Sequence, residues 1–391
     1  MKRVLKICSN SWENASRDKR ELTVCQELGM ETMVMAKGAP GDSFRADEVD
    51  GFRLYRFSTR PLGTARWLTP LNQVLSLFIW GWKARKFRAD IITGHNLPGL
   101  FIGYLSNLGN SHKAKLVYDA HEFELGLDNK RNCIQTWVIQ HLEQFLMNRS
   151  AFSIMVNDSI ANEVQNIHHP KTPLVVARNV PSYWELNSEE TARIRREFLR
   201  ELCLPKETFL IMYHGGIMEN RGIENMLQAV AKVPGVGAVI LGNARSSSYL
   251  NSLCTLCKKL EITNRVLFHP AVPLPELRNY VSAADTGISL LQPTMQNHIL
   301  ALPNKLFENI QSLTPVIVSD FPTIGGLVDR YGIGLRVKPE SPEQIAAAIC
   351  HLKDDKKFYS VCKENLKHAK EDSCWEREKL ALDEAYRRIM E

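Results

Sequence analysis

Short apolar runs alternate with helical patterns along this chain. Val4–Cys8 reads as a strand, Ser9–Ser16 as a polar loop, Arg17–Leu28 as a helix ended by Gly29, and Thr32–Ala36 as the next strand. Asp90–His95 and Lys115–Asp119 are two further apolar runs, each finishing in polar residues. In an open parallel sheet, ligands bind beyond the carboxyl ends of the strands, so His95, Asp119, His121 and Glu122 stand where chemistry is expected. An ordinary polar residue at a strand end is the alternative for each.

A second series follows the polar, charge-rich stretch around Ser182–Arg200. Phe209–His214 reads as a strand running into Gly215 and Gly216, with a helix from about Gly222. Gly237–Leu241, Val266–Phe268, Thr286–Leu290, Val316–Ser319 and Gly334–Val337 also read as strands, with helical stretches between most of them. The 391 residues are too many for one core and suit two successive α/β domains of similar size, expected at 1–180 and 181–374. No short-period repeat or low-complexity segment is visible.

Composition narrows the class. With 44% hydrophobic and 24% charged residues the chain is neither disordered, collagen-like nor a coiled-coil rod. Met1-Lys2-Arg3 leads straight into a strand without a small-residue cleavage site, so a cytoplasmic protein is expected. The most apolar run, Val74–Trp82, is far short of the ~20 residues that cross a bilayer. Nine scattered cysteines fit reduced thiols, and the one close pair, Cys254 and Cys257, reads as helical thiols rather than a zinc or redox site.

The net charge of +6 is unevenly placed: residues 1–100 hold sixteen Lys and Arg against ten Asp and Glu, and the remainder is balanced. No acidic residue lies between Asp50 and Asp90, where Arg53, Arg56, Arg60, Arg66, Lys83, Arg85, Lys86 and Arg88 are all basic. Leu71–Phe87 reads as a core helix whose cationic end complements its dipole, or as a surface that docks on anionic headgroups. The acid-free run from Arg53 to Arg66, with Arg60, Arg66 and Trp67, is harder to explain as part of a core helix and favours the second reading. We therefore expect Arg60, Arg66, Trp67, Lys83 and Arg85 to face an anionic membrane. Nucleic acid is not an expected partner, because these residues form no recognised module.

Two segments carry candidate chemistry. Pro303-Asn304-Lys305-Leu306-Phe307-Glu308 is a loop leading into a helix, whose first N–H groups and positive dipole end suit a diphosphate. Glu308, one turn in, is placed to accept hydrogen bonds from a ribose diol; a solvated helical Glu is the alternative. In Tyr213-His-Gly215-Gly216 and the following residues to Arg221-Gly222, glycines let the backbone approach a ligand, and Arg221 brings a permanent charge.

Together these segments resemble the GT-B glycosyltransferases of glycosyltransferase family 4, over nearly the whole chain. Gly215, Arg221 and Gly222 look like the family's phosphate element, and Pro303–Glu308 with Pro315–Asp320 like its nucleotide loop and helix. Val266–Phe268, Leu277–Tyr280, Ala283–Asp285, Gly332–Gly334 and Pro342–Ile349 follow in the family's order, and Asp90–His95 and Tyr118–Glu122 match its weaker N-terminal signals. The resemblance implies two Rossmann-like domains facing each other across a cleft, with helix 375–390 packed back on the first domain. It implies retaining transfer of a hexosyl or N-acetylhexosaminyl group from a nucleoside-diphosphate sugar to a glycan or polyprenyl-linked acceptor, in bacterial-type surface polysaccharide synthesis.

Carried over residue by residue, Glu308 would hold the ribose, Arg221 the diphosphate, Gly215, Gly216, Lys305 and the backbone of Leu302, Pro303 and Asn304 the phosphates and sugar. His121 would approach the donor sugar, with His95 and Glu122 on the acceptor side; His121 and Arg221 are the expected catalytic residues. No cofactor or metal is implied, in keeping with the lack of any D-x-D triplet. The sequence departs from the family at three places. Leu300 stands where the family has a sugar-contacting Glu, Gly216 where it has an Arg, and Ser9-Asn10-Ser11-Trp12 where it has a double-glycine loop. These departures keep open a nucleotide-sugar epimerase or a catalytically silent nucleotide-sugar-binding protein on the same fold.

Overall fold

The computed structural model describes residues 1–8, 12, 15–38, 45–127 and 130–391. Ser9, Asn10 and Ser11, which stand in place of the expected glycine loop, lie outside the described residues. The chain divides into one unit of Met1–Arg178 with Glu378–Glu391 and a second of Asn179–Arg377.

The first unit contains β1 (Arg3–Cys8), α1 (Ser16–Glu27), β2 (Glu31–Lys37), β3 (Arg45–Val49), β4 (Phe52–Phe57), α2 (Thr69–Ala84), β5 (Ile91–His95), α3 (Asn96–Asn107), β6 (Lys115–Asp119), α4 (Cys133–Met147), β7 (Ser150–Met155), α5 (Asp158–His168) and β8 (Leu174–Val176). Its sheet runs β3-β4-β2-β1-β5-β6-β7-β8, parallel throughout except for the β3–β4 pair at the edge. Helices cover both faces of such a sheet, which is why β1, β2 and β5 are near-continuous buried runs rather than alternating ones.

The edge hairpin answers part of the charge puzzle. Arg53 and Arg56 lie on β4, where Arg53 meets Glu31 at 3.2 Å and Arg56 meets Asp47 at 3.0 Å. Sequence reading had not resolved β3, β4, β7 or β8, because the first two are charge-rich and β8 is only three residues long.

Close packing on β5 fixes the end of the sheet. A Cβ on Gly94 would come within 2.2 Å of the Leu100 backbone nitrogen, and one on Gly99 within 2.8 Å of the Ile7 carbonyl. The first turn of α3 therefore rests directly on β1 and β5, which holds His95, the last residue of β5, at the carboxyl edge.

α2 is turned inside out for a core helix. It buries Asn72, Ser76, Trp80, Gly81 and Ala84, while Leu71, Val74, Phe78 and Trp82 are exposed and Trp67, just before it, is 80% exposed. Asn72 accepts from the Leu62 amide and donates to the Gly63 carbonyl, anchoring the preceding basic loop. Exposed apolar residues at positions 67, 71, 74, 78 and 82 form one stripe at helical spacing. Of the basic residues beside it, Arg60 and Arg66 are exposed and Lys86 lies over the Trp82 ring. Lys83 lies over Phe57, and Arg85 donates to the carbonyls of Leu105 and Leu108 at the end of α3.

The second unit holds α6 (Ser188–Glu201), β9 (Phe209–His214), α7 (Ile223–Lys232), β10 (Val236–Leu241), α8 (Ser247–Lys259), β11 (Val266–His269), α9 (Leu274–Ser282), β12 (Thr286–Ser289), α10 (Gln296–Leu300), α11 (Asn304–Gln311), β13 (Val316–Ser319), α12 (Pro322–Tyr331), β14 (Gly334–Val337), α13 (Pro342–Asp354) and α14 (Lys356–Asp372). Its all-parallel sheet is ordered β11-β10-β9-β12-β13-β14. The period of two along β9 separates two cores: Phe209, Ile211 and Tyr213 pack with α7 and α13, while Leu210 and Met212 pack with α6 and α9. The final helix, α15 (Trp375–Met390), belongs to the first unit from Glu378 onward, where Glu378 accepts from the Arg178 amide at 2.7 Å and its guanidinium at 2.8 Å.

Gly94→Ala should destabilise the first unit by roughly 1–3 kcal/mol, because the added methyl meets backbone rather than a side chain that can swing away. Urea unfolding followed by circular dichroism measures this. An unchanged midpoint would show that α3 does not rest on β5 as described.

Candidate functional site

In the first unit, polar groups converge at the carboxyl ends of β1, β5 and β6. Lys6 sits in the middle of β1, fully buried, with its ammonium 2.8 Å from Asp18 and 2.6 Å from Asp119, and it also bonds Glu21. Asp18 and Glu21 are one turn apart on α1, and Asp119 ends β6. Arg17 donates to Asp119 at 3.1 Å and to the Ala177 carbonyl at 2.8 Å. From the last helix, the Tyr386 hydroxyl lies 3.0 Å from that of Thr93 and donates to Glu21.

The two expected histidines complete this cluster. His121 donates from Nε2 to Asp119 at 2.7 Å, its backbone amide is held by Asn96, and its ring lies tilted against that of His95 with the centroids 3.8 Å apart. His95 bonds Asp18 through Nδ1 at 3.0 Å. Glu122 is exposed beside them.

Burial and neighbouring charge pull these groups in opposite directions. Burial works against a charged Lys6, but Asp119, Asp18 and Glu21 outweigh it and hold its pKa well above the ordinary value. Burial likewise opposes ionised Asp18 and Asp119, yet Lys6 and His121 keep both well below the usual carboxylate range. Glu21, for which burial wins, is pushed up to about 7. Against its own burial His121 is raised by Asp119 and Asp18, whereas burial lowers His95 despite its bond to Asp18. The two neighbouring rings therefore have opposite tendencies, His121 toward its charged form and His95 toward its neutral one.

Asp18, Asp119 and His121, and Cys8, Asp18 and His95, bring ligand atoms close enough for a cation. The ammonium of Lys6 already stands among these carboxylates at hydrogen-bond distance, so the centre carries its own cation. Sequence reading missed Lys6, Arg17, Asp18 and Glu21. A lysine inside an otherwise apolar central strand was the available signal, because a buried charge demands partners.

In the second unit, His214 ends β9 and Glu308 lies in the second turn of α11, joined by a 2.9 Å bond from His214 Nε2 to Oε2. An ionised carboxylate only accepts, so the imidazole donates. Gly215 follows at φ +112°, exposed like Gly216, and Gly222 at φ +72° starts α7. A Cβ on Gly222 would fall 2.5 Å from the Leu290 carbonyl, so the loop closes only with glycine there. The Tyr213 hydroxyl donates to the Gly216 carbonyl at 2.7 Å.

The other expected donor residues lie at and just before the start of α11, and Lys305 reaches this loop. Leu302 and Pro303 are partly buried ahead of α11, and Asn304 opens it, accepting from Asn179 at 2.8 Å. Lys305 places its ammonium 3.8 Å from the Tyr213 ring centroid. Neither Arg221 nor Lys305 has a carboxylate within ion-pair distance among the described residues, since Glu308 is engaged by His214. Leu300 ends α10, whose His298 bonds the Gln292 carbonyl at 3.0 Å. His214 was the residue missed here; a histidine closing a buried strand immediately before Gly-Gly was its signal.

The chain is similar to known proteins. Residues 22–179 match a family model described as a glycosyl transferase 4-like domain, and residues 194–369 match one described as glycosyl transferases group 1. An uncharacterized glycosyltransferase of Methanocaldococcus jannaschii, MJ1607, is 24% identical over 386 residues, with 93% of each chain covered. Sucrose-phosphate synthase from Thermosynechococcus elongatus superposes with a TM-score of 0.75 at 15% identity, covering 100% of this chain and 99% of its own. HepE of Anabaena, solved in complex with UDP, gives 0.74 at 15% identity and the same coverage. At these identities the structural likeness establishes the fold.

The cluster predicts its own titration. His121 should titrate above and His95 below the ordinary histidine value in NMR spectra of the ring protons. Because the folded pKa of His121 is raised, its stabilisation is complete below the unfolded value and is lost as pH rises through the folded one. Asp18 and Asp119 act oppositely, losing theirs as pH falls below the ordinary carboxylate range. Two histidines titrating together near 6.5 would contradict the assigned pairing.

Proposed function

The chain belongs to the GT-B glycosyltransferases of the family 4-like kind, and from that membership we propose that it transfers a hexosyl or N-acetylhexosaminyl group from a nucleoside-diphosphate sugar, with retention, to a glycan or polyprenyl-linked acceptor. The observation that carries this reading is the pair of cations, Arg221 and Lys305, without carboxylate partners beside an exposed glycine backbone and a helix start. Departure of an anionic diphosphate dominates the barrier, and preorganised cations with helix N–H groups stabilise the charge as it develops. In this reading the two side chains supply the positive charge, so no metal is required. His214 holds one oxygen of Glu308, which leaves the other to accept ribose hydroxyls. HepE, of the same fold, has been solved with UDP and with UDP-glucose, which makes uridine nucleotides the first donors to test.

His95 and Glu122 are read as acceptor-side groups, and His121 as a catalytic residue that approaches the donor sugar, alongside Arg221. Leu300 and Gly216 alter the sugar and phosphate contacts that the family makes, so the donor sugar is expected to be recognised by other groups.

The acceptor reading draws on α2. No helix among the described residues is long and apolar enough to cross a membrane. The stripe of Trp67, Leu71, Val74, Phe78 and Trp82 beside Arg60, Arg66 and Lys86 suits insertion into an anionic leaflet. On α4, Ile134, Trp137, Val138 and Phe145 are also exposed, with Arg149 stacked on Phe145. We read the protein as cytoplasmic and peripherally attached to the inner face of the cell membrane, acting in surface polysaccharide synthesis.

Glu308→Ala and Arg221→Ala should each lower donor turnover by at least about tenfold, roughly the loss of one charge-assisted contact. Full activity in both would mean that the donor binds elsewhere, and donor binding without any transfer in the unaltered protein would favour the silent relative. In liposome flotation, the protein should rise with anionic vesicles at low salt and much less after Arg60→Glu with Arg66→Glu. Equal flotation of both would remove the membrane reading.

A further inference from the structure

Lys305 and Glu308 are three residues apart on α11, the spacing at which opposite charges are neighbours on a helix surface and attract. They do not pair, because each turns to one of two successive residues at the end of β9. The Lys305 ammonium lies 3.8 Å from the Tyr213 ring centroid, a cation–π contact, while Oε2 of Glu308 accepts from Nε2 of His214 at 2.9 Å. Consecutive strand residues face opposite ways, so Tyr213 and His214 draw the two charges apart. The helix cannot slide to undo this. Leu306, Phe307 and Ile310 are fully buried, and a Cβ on Gly287 of β12 would fall 1.9 Å from Oδ1 of Asn309, whose amide donates to the Lys305 carbonyl. The His214 ring is fixed as well. It is buried, and its Nδ1 has no hydrogen-bond partner among the described residues, so a proton there would be an unpaired buried donor. The ring proton therefore stands on Nε2, aimed at Glu308. The other carboxylate oxygen, Oε1, has no hydrogen-bond partner among the described residues, and the Glu308 side chain is 16% exposed.

We propose that His214 is a positioning residue for the donor: by holding Glu308 away from Lys305 it keeps the carboxylate free for the ribose hydroxyls and the ammonium free for the diphosphate, and so makes the site selective for ribonucleotide donors. This rests on the donor-site reading above. A contact between Lys305 and Glu308 would cancel both charges at once. The carboxylate would lose the direction in which it receives the diol, and the ammonium would lose the charge it offers to phosphate. Tyr213 secures the other half of the separation, since its hydroxyl donates to the Gly216 carbonyl at 2.7 Å and holds the ring against the ammonium. A 2′-deoxy donor leaves the carboxylate short of one hydroxyl, and a site built to bond a hydroxyl rejects the analogue that lacks it. The role of His214 needs a buried N–H donor rather than an imidazole as such, so an amide side chain of similar reach serves in its place.

Isothermal titration calorimetry of the full chain with UDP, GDP and ADP and with their 2′-deoxy counterparts tests this. The unaltered protein should bind at least one ribonucleoside diphosphate, and at least about tenfold more tightly than its 2′-deoxy form. His214→Leu should weaken that binding at least about tenfold and narrow the preference for ribose to less than about threefold. His214→Gln, which retains a donor, should stay within about threefold of the unaltered protein in both respects. In the Leu variant Glu308 is released to pair with Lys305, so adding Glu308→Gln to His214→Leu should recover at least about threefold of the lost affinity. A loss that came only from a disturbed core would not be recovered in this way. Unchanged affinity and ribose preference in His214→Leu, binding by His214→Gln as weak as by His214→Leu, or no recovery in the double variant overturns the proposal while leaving the donor site standing. Equal binding of the ribose and 2′-deoxy forms by the unaltered protein does the same. If none of the nucleotides binds the unaltered protein, the donor-site reading fails and the proposal with it.

Discussion

A lysine in the middle of a buried parallel strand is the constraint around which the first unit is organised. An ammonium withdrawn from water is tolerable only when carboxylates surround it, and the partners of Lys6 come from two distant parts of the chain, α1 and the end of β6. Asp18 and Glu21 fix the face that α1 turns toward the sheet, Asp119 fixes the end of β6, and Tyr386 ties α15 to the same cluster through Glu21. His121 and His95 then receive their orientation and their unlike charge states from carboxylates that Lys6 holds in place. The arrangement is a network in which removal of one member leaves others buried and uncompensated.

The second unit places charge in the opposite way. Arg221 and Lys305 stand near one another with no carboxylate within ion-pair distance among the described residues, beside glycines that expose backbone, while Glu308 is held by His214. Charge that is fully paired specifies structure; charge left unpaired beside an open loop is available to a ligand. The contrast between the two clusters separates a group of residues that chiefly shapes its unit from one suited to bind an anion.

The inverted helix α2 adds a third use of the same chemistry. Its buried face is made of Asn72, Ser76, Gly81 and Ala84 around one Trp, so close packing on α3 is achieved with small residues. The large apolar side chains are left outside, in a stripe that folding alone does not require. Basic residues that looked uniform in the sequence divide accordingly. Arg53 and Arg56 serve the edge strands, Arg85 serves the end of α3, and Arg60, Arg66 and Lys86 stay at the surface.

By itself the sequence determined the two α/β units, most strands of both sheets, and the donor segments around Gly215 and Pro303–Glu308. These are local: apolar runs set strands, and glycine or proline sets turns, within a few residues. It also placed His95 and His121 at strand ends. Only the tertiary structure decided which distant groups meet, because Lys6 and Asp119, Thr93 and Tyr386, or His214 and Glu308 are brought together by strand order rather than by spacing. It likewise decided that the apolar side of α2 faces outward, since periodicity gives a helix its two faces and only packing against a neighbour selects the one that is buried.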